Sequence, residues 1–216
     1  MDLRSELKRQ LDSLCLAVDE HAVARLITMQ EELLRWNRTY NLTAITDPFE
    51  ALEKHLVDSL TLLPYLGSAK HLLDIGSGAG FPALPLKICR ADLETVSVDA
   101  VAKKIRFQKH LIRTLGLKGA VAWHGRAEDI VHQRFTESGF DLVVARAFAS
   151  IPKLVQLALP CLRRHGVIVA MKGPDGDKEL TAAGPDLEKL GVSCREVVNL
   201  TLPVSGSSRQ LLFLQS

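Results

Sequence analysis

Three glycines at alternate positions, Gly76, Gly78 and Gly80, follow an apolar run that carries a carboxylate, Leu72-Leu73-Asp74-Ile75. This pattern reads as a buried strand, a tight turn and the start of a helix at Pro82. Positions without a Cβ let a ligand approach the backbone, and the helix start offers unpaired N–H groups. The spacing departs from the dinucleotide fingerprint G-x-G-x-x-G, because the third glycine comes early and Phe81 stands where that fingerprint needs glycine. Asp99 closes a second apolar run. A carboxylate there can accept both hydroxyl protons of a ribose, or can cap the helix that begins after it. Ala127 and Glu128 offer a backbone N–H and an acceptor suited to an adenine ring. As first-turn residues they equally suit the helix dipole.

The elements that position these residues follow from periodicity. Leu3, Leu7, Leu11 and Leu14, then Val23, Leu26, Ile27, Leu33 and Leu34, predict two amphipathic helices with a break near residues 17–20. Residues 36–43 break the pattern and predict a loop. Asp47, Pro48 and Glu50 form a helix start, and that helix runs to about Leu63, before Pro64. His55 and Asp58 share one of its faces. From His71 onward strands alternate with helices, which predicts a parallel sheet covered on both faces. Strands are expected at 72–75, 94–98, 120–123, 140–145 and 167–171. Helices are expected at 82–89, 102–115, 153–163 and 178–190. The last two strands, 193–200 and 210–214, are joined by a short connection and are therefore antiparallel. The expected organisation is a helical extension, 1–66, packed as one unit with a Rossmann-like domain, 67–216.

The chain has 216 residues, 47% apolar, and a net charge of only +2, so it is a folded globular protein without a global positive field. Cys15, Cys89, Cys161 and Cys194 lie far apart and read as reduced, mostly buried thiols, with neither a metal site nor a disulfide frame. His55, His71, His110, His124, His132 and His165 show no triad or metal spacing. No apolar run approaches the ~18 residues of a membrane span, and there is no signal peptide. The expectation is a cytoplasmic monomer. Lys103, Lys104, Arg106, Lys109 and Arg113 read as a solvated helix face.

Asp74 with the following G-x-G-x-G resembles motif I of class I S-adenosylmethionine-dependent methyltransferases, and an antiparallel last hairpin is the layout of that fold. In that setting Arg146 ends the strand facing the transferred methyl. Beside a sulfonium it must hold an anion: the methionine carboxylate, a phosphate or the face of a base. Its plain structural role would be a salt bridge to Asp99, Glu128 or Asp141. Phe81 could close the methionine side of the pocket. No N-P-P-Y or D-P-P-Y tetrapeptide follows this strand, which speaks against methylation of an exocyclic amine. Pro160-Cys161 matches the dipeptide of cytosine-C5 enzymes but falls in a helical pattern, so Cys161 reads as packing.

A set of ordered segments is more specific. Trp36-Asn37, Asn41 to Ile45, His55 with Asp58-Ser59-Leu60, Leu73 to Pro82, Lys103-Lys104 with Phe107, Arg126-Ala127-Glu128, Arg146 to Ser150 and Lys172-Gly173 together resemble the RsmG (GidB) family. That resemblance implies transfer of a methyl from S-adenosylmethionine to guanine N7 at position 527, in the 530 loop of 16S rRNA, on the RNA or the small ribosomal subunit. It implies a cofactor site at Gly76, Gly78, Phe81, Asp99, Ala127, Glu128 and Arg146, and an RNA side at Asn41, His55, Arg126, Arg146 and Lys172. Guanine N7 carries an unprotonated lone pair, so no general base and no metal is needed. Three alternatives stand beside this reading: an RNA- or ribosome-binding module without turnover, an NAD-type Rossmann oxidoreductase, and a small-molecule methyltransferase.

Overall fold

The computed structural model describes residues 2–133 and 138–216. Two helices open the chain, α1 (Leu3–Ser13) and α2 (Glu20–Tyr40), each started by an aspartate. The Asp2 carboxylate accepts the Ser5 N–H and that of Asp19 accepts the Ala22 N–H, satisfying donors that a helix start leaves open. Asp47 does the same for α3 (Pro48–Ala51), whose chain continues without a break through a π-helical segment, Leu52–Val57, into α4 (Asp58–Leu60). The loop expected at 36–43 is largely helix: α2 runs through Tyr40 and stops at Asn41, whose φ of 47° is left-handed. Asparagine tolerates that conformation, so the helix ends at a cap residue and not at the change of polarity.

Seven strands follow in one sheet: β1 (His71–Ile75), β2 (Glu94–Asp99), β3 (Ala120–His124), β4 (Phe140–Arg146), β5 (Leu162–Lys172), β6 (Ser193–Thr201) and β7 (Ser208–Gln215). Their order is β3-β2-β1-β4-β5-β7-β6. The first five are parallel, and β7 lies antiparallel between β5 and β6. The connecting helices are α5 (Ala83–Cys89), α6 (Ala102–Thr114), α7 (Ile151–Ala158) and α8 (Gly176–Lys189). This is the class I methyltransferase layout. The helix expected at 153–163 is shorter, because Pro160 lacks an N–H to continue it and Leu162 already pairs with Phe140.

Two apolar clusters cover the sheet. One joins α1, α2 and the Leu52–Leu60 segment to Leu72, Phe81, Phe107, Leu142 and Val169. The other buries Ile75, Val143, Ile168 and Leu212 under α7 and α8. The second opening helix packs on α5 and α6, and the segment that follows it brings His55 and Asp58 to the carboxyl ends of β1 and β4. All four cysteines are free; Cys161 is buried, as its helical pattern suggests, whereas Cys15 is exposed. No helix among the described residues is long and apolar enough to cross a membrane.

Candidate active site

Open parallel sheets bind ligands outside the carboxyl ends of their strands, where the strand order reverses. Here that point lies between β1 and β4. Gly76, Gly78 and Gly80 all have positive φ, 72°, 58° and 100°. At Gly76 an added Cβ would lie 2.5 Å from the Phe148 ring, and at Gly80 2.6 Å from Leu84. Gly78 faces open space, so its requirement is conformational. Asp74 is buried beneath the turn and accepts the Ala83 N–H at 3.2 Å, fixing the start of α5. Burial pushes its carboxyl well above the usual range.

Two cavities meet at this turn, and Gly76 and Phe148 line both. The smaller, about 290 Å³, is walled by Asp99, Arg126, Ala127 and Glu128. Asp99 is nearly buried; Oδ2 accepts the Gly78 N–H at 2.9 Å and Oδ1 the Val101 N–H at 2.8 Å. A carboxylate oxygen has two lone-pair directions, so each retains one for a ligand hydroxyl. Glu128 is exposed and pairs with Lys153.

The larger cavity, about 710 Å³, is lined by Lys54, Lys104, Arg146, Lys172 and Arg209 against two carboxylates, Asp58 and Glu179. The π-helical segment builds its wall. It and the first residue of α4 direct three polar side chains, Glu53, His55 and Asp58, to distant partners, a placement typical of π turns at functional sites. Glu53 accepts the backbone N–H groups of Val204 and Ser205 at the β6–β7 turn. His55 stacks on Phe81, with ring centroids 4.9 Å apart, and shares a hydrogen bond with Thr43 Oγ1. Asp58, almost fully buried, receives Arg146 at 3.0 Å and Arg209 at 3.0 Å. Arg146 also donates to the Lys54 carbonyl at 2.6 Å and lies over the Phe81 ring.

The anion that holds Arg146 is thus Asp58, which corrects the choice among Asp99, Glu128 and Asp141. Sequence spacing placed Asp58 beside His55 but gave no sign of its two arginines, which lie 88 and 151 positions away. Thr43, Phe148 and Arg209 also belong to the site's walls. Lys172 lines the larger cavity, where it pairs with Glu179 at 2.6 Å. Arg126, expected on the RNA side, lines the smaller cavity with Asp99, because two strands, β2 and β1, separate β3 from β4. Asn41 lies in neither cavity but in a groove behind the 41–47 loop. Lys104, from the basic helix face, reaches the larger cavity.

His55 titrates far from its ordinary value. Burial, then the charge of Arg146, lowers it to about 4, so the ring is neutral at pH 7. Between pH 6.5 and 4 the unfolded chain binds a proton that the folded chain refuses, so this residue removes stability as pH falls through that window. The full effect is about 3 kcal/mol. The gap in Tm between the native chain and His55→Gln is expected to narrow from pH 7 to pH 4; a constant gap in thermal scans would refute this.

The family model described as "rRNA small subunit methyltransferase G" matches residues 22–211. The chain belongs to that family. Two curated proteins of the same name agree along nearly their whole length. One, from Geobacter sp. (strain M21), is 48% identical over 96% of this chain and 95% of its own. Another, from Syntrophotalea carbinolica, is 43% identical over 99% and 98%. Solved structures carry the same fold. A SAM-dependent methyltransferase from Aquifex aeolicus superposes with a TM-score of 0.59 at 18% identity, covering 81% of this chain and 96% of that one. Aeropyrum pernix fibrillarin with bound S-adenosyl-L-methionine gives 0.53 at 16% identity, covering 68% and 66%. This methyltransferase G family member is an S-adenosylmethionine-dependent enzyme. Its own turn fits that cofactor: a cradle that a Cβ at Gly76 would obstruct, and a carboxylate at Asp99 with acceptor capacity to spare.

Proposed function

We propose that the chain methylates N7 of a guanine in 16S rRNA, at position 527 of the 530 loop, as a cytoplasmic monomer acting on the RNA or the small subunit. The observation that carries this reading is the pair of joined cavities. One holds a ribose-type carboxylate; the other is cationic, and both of its carboxylates are already paired. Asp58 is bound by two arginines, Glu179 by Lys172, and His55 is neutral with Nε2 on Thr43. Such a cavity attracts a phosphate-linked substrate and leaves no unpaired carboxylate to take a proton. Guanine N7 has no proton to lose, so the chemistry suits the site.

In this reading Asp99 holds the ribose, Ala127 and Glu128 border the adenine, and Gly76 and Gly78 allow the chain to lie against the backbone. When bound, S-adenosylmethionine supplies an electrophilic methyl on a sulfonium. Phe81, held flat between His55 and Arg146, closes the floor beside it. Arg146 and Lys172 face the RNA and orient the guanine, while the buried walls keep water away. Holding nucleophile and methyl in line contributes most of the rate, up to about 7–11 kcal/mol in ideal cases.

Labelled methyl transfer to small subunits from a bacterium with its own enzyme deleted tests the reading. One new 7-methylguanosine is expected in 16S rRNA; none would overturn it. S-adenosylhomocysteine is expected to bind and NAD not to. Asp99→Ala removes the hydroxyl acceptor and frees two backbone N–H groups. Hydrogen bonds to a charged group contribute about 1.5–3 kcal/mol, so calorimetry is expected to show roughly 10- to 100-fold weaker S-adenosylhomocysteine binding. Unchanged affinity would take Asp99 out of the cofactor site.

A further inference from the structure

The loop 41–47 is a partition between two spaces. Leu42 and Ile45 line the catalytic cavity, while Asn41, Ala44 and Thr46 line a groove of about 640 Å³ on the other side. Thr43 lines both. The partition is firmly held: Asn37 Oδ1 accepts the Thr43 N–H at 2.9 Å, and Thr43 Oγ1 accepts the Ile45 N–H at 3.2 Å and meets His55 Nε2 at 3.0 Å. Leu34 and Pro48 give the groove apolar walls. Arg38, Asn41 and Thr46 give it a cation, an amide and a hydroxyl, and their side chains are without a hydrogen bond or ion pair among the described residues.

The geometry points to this groove as a second nucleotide subsite, taking an unstacked base next to the methylated guanine; the inference rests on the rRNA reading above. A base must leave its stack to reach a catalytic pocket, and its neighbour loses a stacking partner when it does. Sequence-specific RNA recognition stacks such splayed bases on aromatic rings or guanidinium planes and hydrogen-bonds their edges. The groove offers both kinds of contact, one residue away from the catalytic cavity. Arg38 supplies the guanidinium plane for the stack, and Asn41 and Thr46 the edge contacts. In this arrangement Asn41 reads the neighbour and not the target guanine.

The test uses the whole chain and small subunits lacking the methyl group. Ala44→Trp fills the groove from an exposed position, and the double variant Arg38→Gln, Asn41→Ala removes its polar contacts. Both are expected to bind S-adenosylhomocysteine within about twofold of the native chain and to lose at least tenfold in kcat/KM on subunits, chiefly through KM. A photo-crosslinker on Ala44→Cys, in a chain whose exposed Cys15 is replaced by Ser, is expected to label a nucleotide adjacent to the new 7-methylguanosine. Values of kcat/KM within twofold of native for both variants, or a crosslink to a distant nucleotide or a ribosomal protein, would overturn the subsite alone. A native chain that transfers no methyl overturns the rRNA reading and this inference together.

Discussion

Arg146→Ala is expected to abolish methyl transfer, with kcat/KM lowered by at least about 100-fold, or roughly 3 kcal/mol of transition-state stabilisation. The side chain ties the Lys54 carbonyl and the Asp58 carboxylate to the end of β4 while lying over Phe81. Without it, Asp58 keeps only Arg209, and the wall carrying His55 is no longer fixed against the sheet. Breaking one arm of a buried ion pair is costly because the remaining charge stays desolvated. Part of the loss therefore falls on stability, and S-adenosylhomocysteine binding separates the two. It is expected to survive within about tenfold, since the Asp99 cavity lies on the other side of Gly76. Arg146→Lys is expected to recover little, because an ammonium lacks the guanidinium plane that lies over the Phe81 ring. Full activity in Arg146→Ala would remove this residue from the reaction.

Gly76→Ala is expected to cost more in cofactor affinity than in folding. A residue with a Cβ pays about 1–2 kcal/mol in the left-handed region. Its methyl would lie 2.5 Å from Phe148, a half-buried ring that can yield. The larger consequence is position, because that methyl stands where the two cavities join. At least 100-fold weaker binding of S-adenosylhomocysteine is expected, with a Tm decrease of only a few degrees. Gly78→Ala, which meets no neighbouring atom, is expected to show the conformational cost alone. Equal cofactor affinity in both variants and the native chain would show that the turn is not the cradle.

The order of elements, the parallel sheet and the antiparallel last hairpin were legible in the chain because each depends on local pattern: short apolar runs for buried strands, helical spacing, caps and glycine turns. The Gly76–Gly80 turn and Asp99 were legible for the same reason, since the strands that carry them are neighbours in sequence and in the sheet. Asn41, Arg126 and Arg146 could be recognised as chemically interesting, but not placed. Their surroundings depend on which strand lies beside which, and on a π-helical segment that shifts Glu53, His55 and Asp58 relative to an ordinary helix. The Arg146–Asp58–Arg209 cluster joins three segments that no local rule connects. By itself the sequence determined the kind of fold and the glycine turn proposed here to hold a nucleoside cofactor. Only the tertiary structure decided which anion meets Arg146, that Arg126 sides with Asp99, and that Asn41 faces a separate groove, because ion pairing and cavity walls depend on distance in space and not along the chain.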